Sequence, residues 1–488
     1  MKINPLTCID FYKADHRRQY PEGTTMVYSN FTPRSSKLAL KSSMHDDKVV
    51  MFGLQYFIKY FLIETWNKGF FDLLEEEVIK VYKRRMDNAL GKDAISVEHI
   101  EALHRLGYLP LEIKAIPEGS VVDIKVPLLT IQNTHKDFFW LTNYLESIMS
   151  TMLWKPITSA TMARQYRKIL DKFCKETGNT DMIDFQAHDF SFRGMSGLHD
   201  ACISAAGHLL SFSGTDSVAS IDLLEDYYNA DSDKELVGCS VPATEHSVMC
   251  MGSKDDEIGT FRRLVTELYP SGIISIVSDT WDLWKVLTEY VTELKEDIMA
   301  RDGKVVFRPD SGDPCNIICG DPSAKKDSCE NLGCLRLLWD KFGGVINSKG
   351  YKELDSHVGL IYGDSITMER AEKILTRMEE MGFAASNIVF GVGSYTYQYC
   401  TRDTWGFAMK ATYGEIDGKP REIFKDPVTD SGLKKSAKGL LRVDKSNGSC
   451  SVKDQCDTNE GGELKQVFLD GVLVVDESLC DIRSRARA

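Results

Sequence analysis

The stretch Val305-Val306-Phe307-Arg308-Pro309-Asp310-Ser311-Gly312 is an apolar run that ends in a polar cluster. The pattern recurs along residues 180–400, where runs rich in Val, Ile and Phe end in polar residues and precede a helical pattern. Successive run ends lie 27, 30, 33, 31, 54 and 29 residues apart when they are marked by Asp189, Asp216, His246, Asp279, Asp310, Asp364 and Gly393. A strand, a helix and two short loops need roughly 30 residues, so the spacing predicts seven consecutive βα units.

Seven successive βα units predict a parallel sheet, and we expect an α/β fold in which this sheet closes into a central barrel of about seven units. An open, doubly wound sheet is the alternative. In both folds, ligands bind at the carboxyl ends of the strands. The acidic residues at these ends, here called the strand-end carboxylates, are Asp189, Asp216, Asp279, Asp310 and Asp364. Together they are suited to stabilise a cation, hold sugar hydroxyls or bind Mg²⁺, although any single one could equally cap the following helix.

Different patterns flank the βα region. Before it, turn residues and short alternating runs predict a mixed α+β unit, and beyond residue 400 Lys-rich loops alternate with short strand-like runs. We therefore expect a discontinuous accessory domain, formed by residues 1–150 and 401–488, around a barrel domain of residues 151–400. The long spacing of 54 residues indicates an insertion that holds Cys315, Cys319, Cys329 and Cys334.

Composition argues against several classes of partner. The 488 residues include 59 Lys plus Arg and 72 Asp plus Glu, a net charge of −13, so we expect neither a nucleic-acid surface nor an anionic-membrane surface. No run approaches the ~18–20 apolar residues of a membrane span, and the first twenty residues lack the apolar core of a signal peptide. Thirteen scattered cysteines are typical of reduced thiols, which favours a cytoplasmic protein. The cysteines of the insertion contain no CxxC pair, so unpaired thiols are favoured over a zinc site.

Basic residues accompany the strand-end carboxylates and recur in the flanking loops: Arg34, Arg193, Arg308, Arg402, Lys410 and Lys425. Arg binds phosphate oxygens in pairs and Lys supplies a point charge, so a ligand with several phosphates and a ribose would use both. Solvated surface charge is the competing interpretation for each Lys. The backbone of Gly391-Val392-Gly393-Ser394 could also cradle a phosphate, although two glycines are a weak motif.

Three other side chains allow two interpretations each. His246, which follows a run end beside Glu245, can act as a base, a metal ligand or a phosphate acceptor, or be a structural histidine. Phe190 and Tyr12 are compatible with a core, but an aromatic ring at a strand end can also stack on a flat heterocycle.

Several strings of residues together resemble the nicotinamide phosphoribosyltransferase family of type II phosphoribosyltransferases, in register from about residue 10 to 470. They are Asp10-Phe11-Tyr12-Lys13, His188-Asp189-Phe190-Ser191-Phe192-Arg193-Gly194, Gly214-Thr215-Asp216, Ser240-Val241-Pro242-Ala243-Thr244-Glu245-His246-Ser247, Ser275-Ile276-Val277-Ser278-Asp279, Arg308-Pro309-Asp310-Ser311-Gly312 and Phe424-Lys425-Asp426-Pro427. The resemblance implies transfer of phosphoribosyl from phosphoribosyl pyrophosphate to nicotinamide, which gives nicotinamide mononucleotide and pyrophosphate for NAD salvage. It also implies a homodimer with active sites at the interface.

The same resemblance implies roles for single residues. Phe190 and Tyr12, the latter from the second subunit, would sandwich the pyridine ring. Asp216 would accept the carboxamide N–H and repel the carboxylate of nicotinate. Further substrate contacts would come from Asp10, Arg193, Ser275, Arg308, Asp310, Gly363, Asp364, Gly393, Ser394 and Arg402. The phosphate and pyrophosphate groups would be bound by Arg34, Arg193, His246, Arg308, Arg402, Lys410 and Lys425.

For catalysis, the resemblance implies that ATP phosphorylates His246, which couples ATP hydrolysis to turnover. Glu245 and Asp279 would orient and polarise His246, and Asp310 would act beside them. Mg²⁺ would be bound mainly through pyrophosphate, and no protein ligand for it is assigned.

One departure and two alternatives accompany the resemblance. Gly393-Ser394-Tyr395 keeps only the first of three glycines of the family pattern. Contacts from the backbone N–H of Ser394 to a phosphate survive this change if the backbone needs no positive φ there, whereas the side chain of Tyr395 could narrow the site. A nicotinate phosphoribosyltransferase is the alternative enzyme, against which Asp216 argues. A non-catalytic binding protein is the alternative of another class, and it predicts the loss of strand-end residues that this chain retains.

Overall fold

The computed structural model describes residues 3–425 and 437–488. The strands are β1 Thr24–Thr32, β2 Lys48–Val50, β3 Leu111–Ala115, β4 Val121–Asp123, β5 Leu129–Asn133, β6 Ala187–Asp189, β7 Gly214–Thr215, β8 Ser271–Val277, β9 Asp302–Arg308, β10 Gly344–Ile346, β11 Lys352–Leu354, β12 Val358–Tyr362, β13 Ile388–Val392, β14 Ala408–Ile416, β15 Lys419–Glu422, β16 Leu440–Ser446, β17 Ser449–Cys456, β18 Lys465–Leu469 and β19 Val472–Leu473. The longer helices are Phe57–Thr65, Glu75–Leu90, Glu98–Leu106, Glu146–Thr177, Leu198–His208, Ala219–Tyr228, Cys329–Phe342, Met368–Glu380 and Leu479–Arg487.

A parallel sheet occupies the centre of the chain. Among the described residues it has six strands in the order β7-β6-β13-β12-β9-β8, and every neighbouring pair is parallel. The sheet curls so that one extended segment, residues 239–244, reaches both of its edges. Thr215 N donates to Cys239 O at 2.9 Å on one edge, and Ser275 N donates to Pro242 O at 2.9 Å on the other. The α/β prediction is thus confirmed as a mixed α/β fold with a curled parallel sheet.

The second large sheet joins segments from both halves of the sequence. Its order is β15-β14-β1-β5-β3-β18-β19, and every pairing in it is antiparallel. Strand β1 pairs with β14 and β3 pairs with β18, so residues near the beginning and near the end of the chain share one sheet. Closing these pairings brings together residues that lie more than 300 positions apart.

The 32-residue helix Glu146–Thr177 connects the two sheets and has Pro156 in its interior. Its first half, including Leu153 and Ile157, packs into the apolar core around the antiparallel sheet. Its second half, including Tyr166 and Ile169, packs into a separate core around the parallel sheet. Each fully buried apolar side chain contributes roughly 1.5–3 kcal/mol, so both cores hold this helix in place.

The helix Leu479–Arg487 holds the residues that precede the extended segment 239–244. The guanidinium of Arg483 is buried and donates to the carbonyls of Leu209 at 2.7 Å, of Leu236 at 2.9 Å and of Val237. Burial lowers the pKa of Arg483 to about 10. The hydrogen bonds to Leu236 and Val237 tie the residues just before the segment to this helix.

Candidate active site

The ring of Phe190 lies directly beyond β6, against two glycines of neighbouring strand ends. A β-carbon on Gly391 would lie 2.5 Å from Cε2 of Phe190, and one on Gly363 would lie 3.4 Å from the same atom and 2.9 Å from Oδ1 of Asp310. Real side chains cannot approach as closely as at Gly391, so that position needs glycine for the ring to lie there, whereas the close approach at Gly363 is to Asp310. The ring is half-buried, so one part of it is available to a flat ligand.

Asp216 follows β7, and its side chain is 48% exposed. Its Oδ1 lies 2.8 Å from Nε2 of His188 and accepts a hydrogen bond from the hydroxyl of Ser240 at 2.6 Å. Burial acts to raise the pKa of Asp216, but these hydrogen bonds and the charge of Arg308 hold that pKa below its usual value. Asp216 is therefore an ionised acceptor beside the ring of Phe190.

The ends of β8 and β9 are linked through Asp279. Its Oδ2 accepts hydrogen bonds from the backbone N–H of Asp310 at 2.8 Å and from the hydroxyl of Ser311 at 2.6 Å. Oδ1 of Asp279 is buried and has no hydrogen-bond partner among the described residues. Burial, together with Asp279 and Asp364, raises the pKa of Asp310 above its usual value, because three carboxylates crowd at this point.

His246 begins the short helix His246–Met251 and faces these carboxylates. Its Nδ1 lies 3.2 Å from Oγ1 of Thr280, and its Nε2 lies 3.8 Å from Oδ2 of Asp310. The prediction that Glu245 orients His246 stays a prediction, since the carboxylate of Glu245 accepts a hydrogen bond from Ser247. Asp279 is connected to His246 indirectly, because it accepts a hydrogen bond from the backbone N–H of Asp310 and the side chain of Asp310 faces His246.

Arg308, the last residue of β9, provides the cation among the strand ends. Its guanidinium donates to the carbonyl of Thr244. Burial lowers the pKa of Arg308, while the charges of Asp310, Asp216 and Asp279 act to raise it. One guanidinium thus lies within the field of three carboxylates.

Asp189 does not join the other strand-end carboxylates, and the expectation that all five face one opening is wrong for it. The residue is fully buried. Its carboxylate accepts hydrogen bonds from Ser191 N and Oγ, from Thr215 Oγ1 at 2.9 Å and from Ser217 Oγ at 2.7 Å. Successive side chains of a strand point to opposite faces, so Asp189 lies opposite His188 and Phe190 and ties two strand ends together.

The glycine-containing segment after β13 lies beside the loop of Arg193. A β-carbon on Gly194 would lie 2.6 Å from Oγ of Ser394, so this close approach needs glycine. Gly393 has a φ of −107°, and neither Ser394 nor Tyr395 has a positive φ, so the departure from a run of glycines causes no backbone strain. The ring of Tyr395 stacks on that of Tyr399, with centroids 5.0 Å apart.

A second set of predicted residues gathers at the antiparallel sheet, and we call Lys13, Arg34, Arg402 and Lys410 the basic group. Burial lowers the pKa of Lys410, and the neighbouring charges of Arg34, Lys13 and Arg402 lower it further. Lys13 forms an ion pair with Glu146, and Arg402 contacts only its neighbour Asp403 among the described residues, at 3.4 Å.

The N-terminal residues of the predicted site lie beside this group. Asp10 accepts a hydrogen bond from the hydroxyl of Ser147 at 2.5 Å. Tyr12 is 60% exposed and packs on His16, with ring centroids 5.2 Å apart. Phe190 and Tyr12 therefore belong to different parts of the fold.

Four more predicted residues lie elsewhere in the described structure. Ser275 is buried at β8, and its hydroxyl has no partner among the described residues. Arg193, Asp364 and Lys425 are exposed. Asp426 and Pro427, the end of the last motif, lie outside the described residues.

Sequence reasoning missed His188 and Ser240, which hold Asp216 in place. The alternation of side chains along a strand could have found His188, because it shares a face with Phe190. Ser240 carried no such pattern, since its contact depends on where the extended segment crosses the sheet edge.

The described residues contain no group of three or more His, Cys, Asp or Glu side chains arranged to hold a metal ion. All thirteen cysteines lie within them as free thiols. Within the same residues, no helix combines the length and apolar character needed to cross a bilayer.

A parallel sheet with carboxylates around one arginine at its strand ends, together with a separate basic group, is suited to a ligand that carries a sugar and phosphates. The chain belongs to the nicotinate phosphoribosyltransferase (NAPRTase) family, whose profile matches residues 185–471. Residues 4–113 match the N-terminal domain of nicotinamide phosphoribosyltransferase.

Two relatives bear the name nicotinamide phosphoribosyltransferase. The protein of Acinetobacter baylyi is 59% identical, and the match covers 99% of this chain and 97% of the relative. The protein of Xanthomonas campestris is 32% identical, with 99% of this chain and 98% of the relative covered.

Two solved structures resemble the fold. Nicotinate-nucleotide pyrophosphorylase from Pyrococcus furiosus has a TM-score of 0.55 at 15% identity, covering 100% of this chain and 95% of that chain. Human nicotinic acid phosphoribosyltransferase has a TM-score of 0.54 at 14% identity, covering 98% and 92%. At such identities the two structures support the fold alone.

Proposed function

We propose that the protein transfers the phosphoribosyl group of phosphoribosyl pyrophosphate to nicotinamide, giving nicotinamide mononucleotide and pyrophosphate. The observation that carries the proposal is the pairing of Phe190, held against two glycines, with the half-exposed carboxylate of Asp216. A flat ring can stack on Phe190 while its carboxamide N–H donates to Asp216. The names of the two relatives point to the same substrate.

In the reaction, the bond between C1′ of the ribose and a pyrophosphate oxygen breaks, and the pyrophosphate leaves with the electron pair. The pyridine nitrogen of nicotinamide then forms the new bond to C1′ with its lone pair. Positive charge develops on the sugar in between, and the carboxylates of Asp310 and Asp279 are placed to stabilise it. Arg308 and the exposed Arg193 stabilise the negative charge that develops on the phosphates.

The basic group binds the phosphates in this proposal, with Lys425 and the backbone at Gly393 and Ser394 completing the set. Burial and the charges of Arg34, Lys13 and Arg402 lower the pKa of Lys410, while the charge of Glu146 opposes them, and an anionic ligand would favour the charged form of Lys410. Asp10 and the exposed Tyr12 lie beside the same group, and in the arrangement that the family resemblance implies, a second copy of the chain would bring Tyr12 to Phe190 of the first. The homodimer is part of the proposal.

We further propose that Mg²⁺ and ATP take part. No group of three or more acidic, histidine or cysteine side chains among the described residues is arranged to hold a metal ion, so Mg²⁺ would be held mainly by the pyrophosphate. When bound mainly through pyrophosphate, Mg²⁺ supplies positive charge to the leaving group. His246 accepts the γ-phosphoryl group of ATP with release of ADP, and its half-exposed ring, 48% exposed, is open to that transfer.

The finer description of the fold is also proposed. Residues 239–244 act as the seventh strand position and close the parallel sheet into a barrel, since they hydrogen-bond to both of its edges. The barrel domain spans residues 151–400, and residues 1–150 and 401–488 form the accessory domain. Unpaired cysteines support an enzyme of the cytoplasm, and the net charge of −13 argues against nucleic-acid and anionic-membrane partners.

A substrate-pair assay tests the function. The purified full chain is incubated with phosphoribosyl pyrophosphate, Mg²⁺ and ATP, with either nicotinamide or nicotinate, and pyrophosphate release is measured. We expect release with nicotinamide and little with nicotinate. A preference for nicotinate would establish the alternative enzyme, and no release with either would favour a non-catalytic protein.

A further inference from the structure

The carboxylate of Asp216 is held asymmetrically. Both hydrogen bonds that it accepts from described residues end on Oδ1, from His188 at 2.8 Å and from Ser240 at 2.6 Å. Oδ2 accepts no hydrogen bond from a described residue, and the side chain is 48% exposed. One oxygen is therefore bound by the protein while the other is available to a ligand.

His188 is itself held rigidly. It lies in β6 opposite Gly214 of β7, where a β-carbon would come within 2.7 Å of Nδ1 of His188, so glycine is needed for the ring to pack there. The imidazole also packs against the ring of Phe190, with the two ring centroids 5.0 Å apart and an angle of 56° between the ring planes. The side chain of His188 is only 12% exposed. The imidazole thus links the stacking ring to the carboxylate.

Ser240 reaches Asp216 from a different element. It lies in the extended segment 239–244, whose backbone is hydrogen-bonded to both sheet edges, and Arg483 holds the residues just before it. Two donors from two independently fixed elements converge on one oxygen. Free rotation of the carboxylate would break both hydrogen bonds.

We propose that His188 and Ser240 are positioning residues that orient the carboxylate of Asp216 toward the carboxamide N–H of the bound pyridine, and that they thereby set the preference for an amide over a carboxylate. The inference rests on the proposed function. An exposed aspartate that rotates freely loses conformational entropy when it binds a ligand, and prior orientation removes that cost. Asp216 keeps its carboxylate while it accepts these hydrogen bonds, so a carboxylate on the ring is still repelled.

The test compares His188→Leu with His188→Gln in the full chain. Leucine removes the donor, whereas the glutamine amide places an N–H near the position of Nε2. With nicotinamide, we expect KM to rise about tenfold in His188→Leu with a smaller change in kcat, the loss typical of a hydrogen bond to a charged group. His188→Gln should recover KM to within about threefold of the wild type. The ratio of kcat/KM for nicotinamide over nicotinate should fall in His188→Leu and recover in His188→Gln.

Ser240→Ala provides a second measurement in case His188→Leu does not fold, which a thermal melt shows. It should raise KM for nicotinamide and lower the substrate ratio in the same direction. The matched control is His357→Leu, because His357 pairs with Asp355 at 2.6 Å at the opposite end of β12. That variant should leave the substrate ratio unchanged.

Equal effects of leucine and glutamine at position 188 would overturn the proposal, as would an unchanged substrate ratio in Ser240→Ala. A ratio that rises in His188→Leu would show that His188 is charged and screens Asp216, and would also overturn it. These outcomes all require an active wild type that prefers nicotinamide. A wild type without that preference contradicts the proposed function instead, so the two failures are distinguishable.

Discussion

The strand-end carboxylates and the basic group carry opposite charges and are held to different degrees. Asp189, Asp216 and Asp279 accept hydrogen bonds from residues of neighbouring strand ends, with distances of 2.6–3.0 Å. In the basic group, by contrast, Arg402 is 53% exposed and contacts only the adjacent Asp403 among the described residues. The comparison indicates that the chain holds these carboxylates through its own hydrogen bonds, whereas the guanidinium of Arg402 is held far more loosely.

The largest expected effect concerns the most firmly held carboxylate. Asp189→Ala should lower the free energy of unfolding by about 3 kcal/mol, because it leaves the hydroxyls of Thr215 and Ser217 without their buried acceptor. The exposed Asp364 provides the control, since Asp364→Ala should change stability by less than about 0.5 kcal/mol. Urea denaturation measures both. Equal stability of the two variants would contradict the division between a structural and a ligand-facing carboxylate.

The next effect concerns the histidine that faces the carboxylates. His246→Ala should abolish ATP coupling and lower the output of nicotinamide mononucleotide by at least about a hundredfold, because the phosphoryl acceptor is removed. Parallel assays of ATPase activity and of nucleotide product measure this. Since the ring is half-exposed, the thermal melting temperature should stay near that of the wild type. Unchanged ATPase activity in this variant would remove His246 from the mechanism.

A smaller effect is expected in the basic group. Arg402→Ala and Lys410→Ala should each raise KM for phosphoribosyl pyrophosphate by about tenfold, since each removes one charge-assisted contact to phosphate. Stability should not fall, because Arg402 and Lys410 carry like charges that repel each other. Lys419→Ala, an exposed lysine on the neighbouring strand β15, serves as the control and should leave KM unchanged. A fall in stability without a change in KM would contradict the contrast between the two regions, because it would assign the basic group a structural role instead of phosphate binding.

The smallest effect concerns Glu118, a buried carboxylate of the antiparallel region. Burial raises its pKa to about 7, although it accepts hydrogen bonds from Gly53 N, Gln55 N and Tyr228. A carboxyl whose pKa is higher in the folded state is stabilising when protonated, so the free energy of unfolding should fall as pH rises through 7. The expected contribution is roughly 1 kcal/mol between pH 6 and 8. Glu118→Gln should remove this part of the pH dependence in urea denaturation, and an unchanged slope would show that Glu118 does not titrate there.

Much of the parallel sheet could be predicted from local sequence. The spacing of run ends near 30 residues identified six positions that follow strands of the curled sheet, because each βα unit is encoded within a short stretch. Asp189 shows the limit of this reasoning. Its type and position matched those of Asp216, but strand alternation turned its side chain away from the opening, toward four donors.

The sequence by itself determined the α/β class, the positions of the strand ends along the chain, and most residue types of the candidate site. These depend on short-range periodicity and on motifs. Only the tertiary structure decided which carboxylates face a ligand and which are buried. It also brought Ser240 to Asp216 and joined the two ends of the chain in one sheet, as β1 with β14 and β3 with β18. The physical reason is that these contacts depend on long-range strand pairing and on close packing at glycines, neither of which leaves a pattern in neighbouring residues.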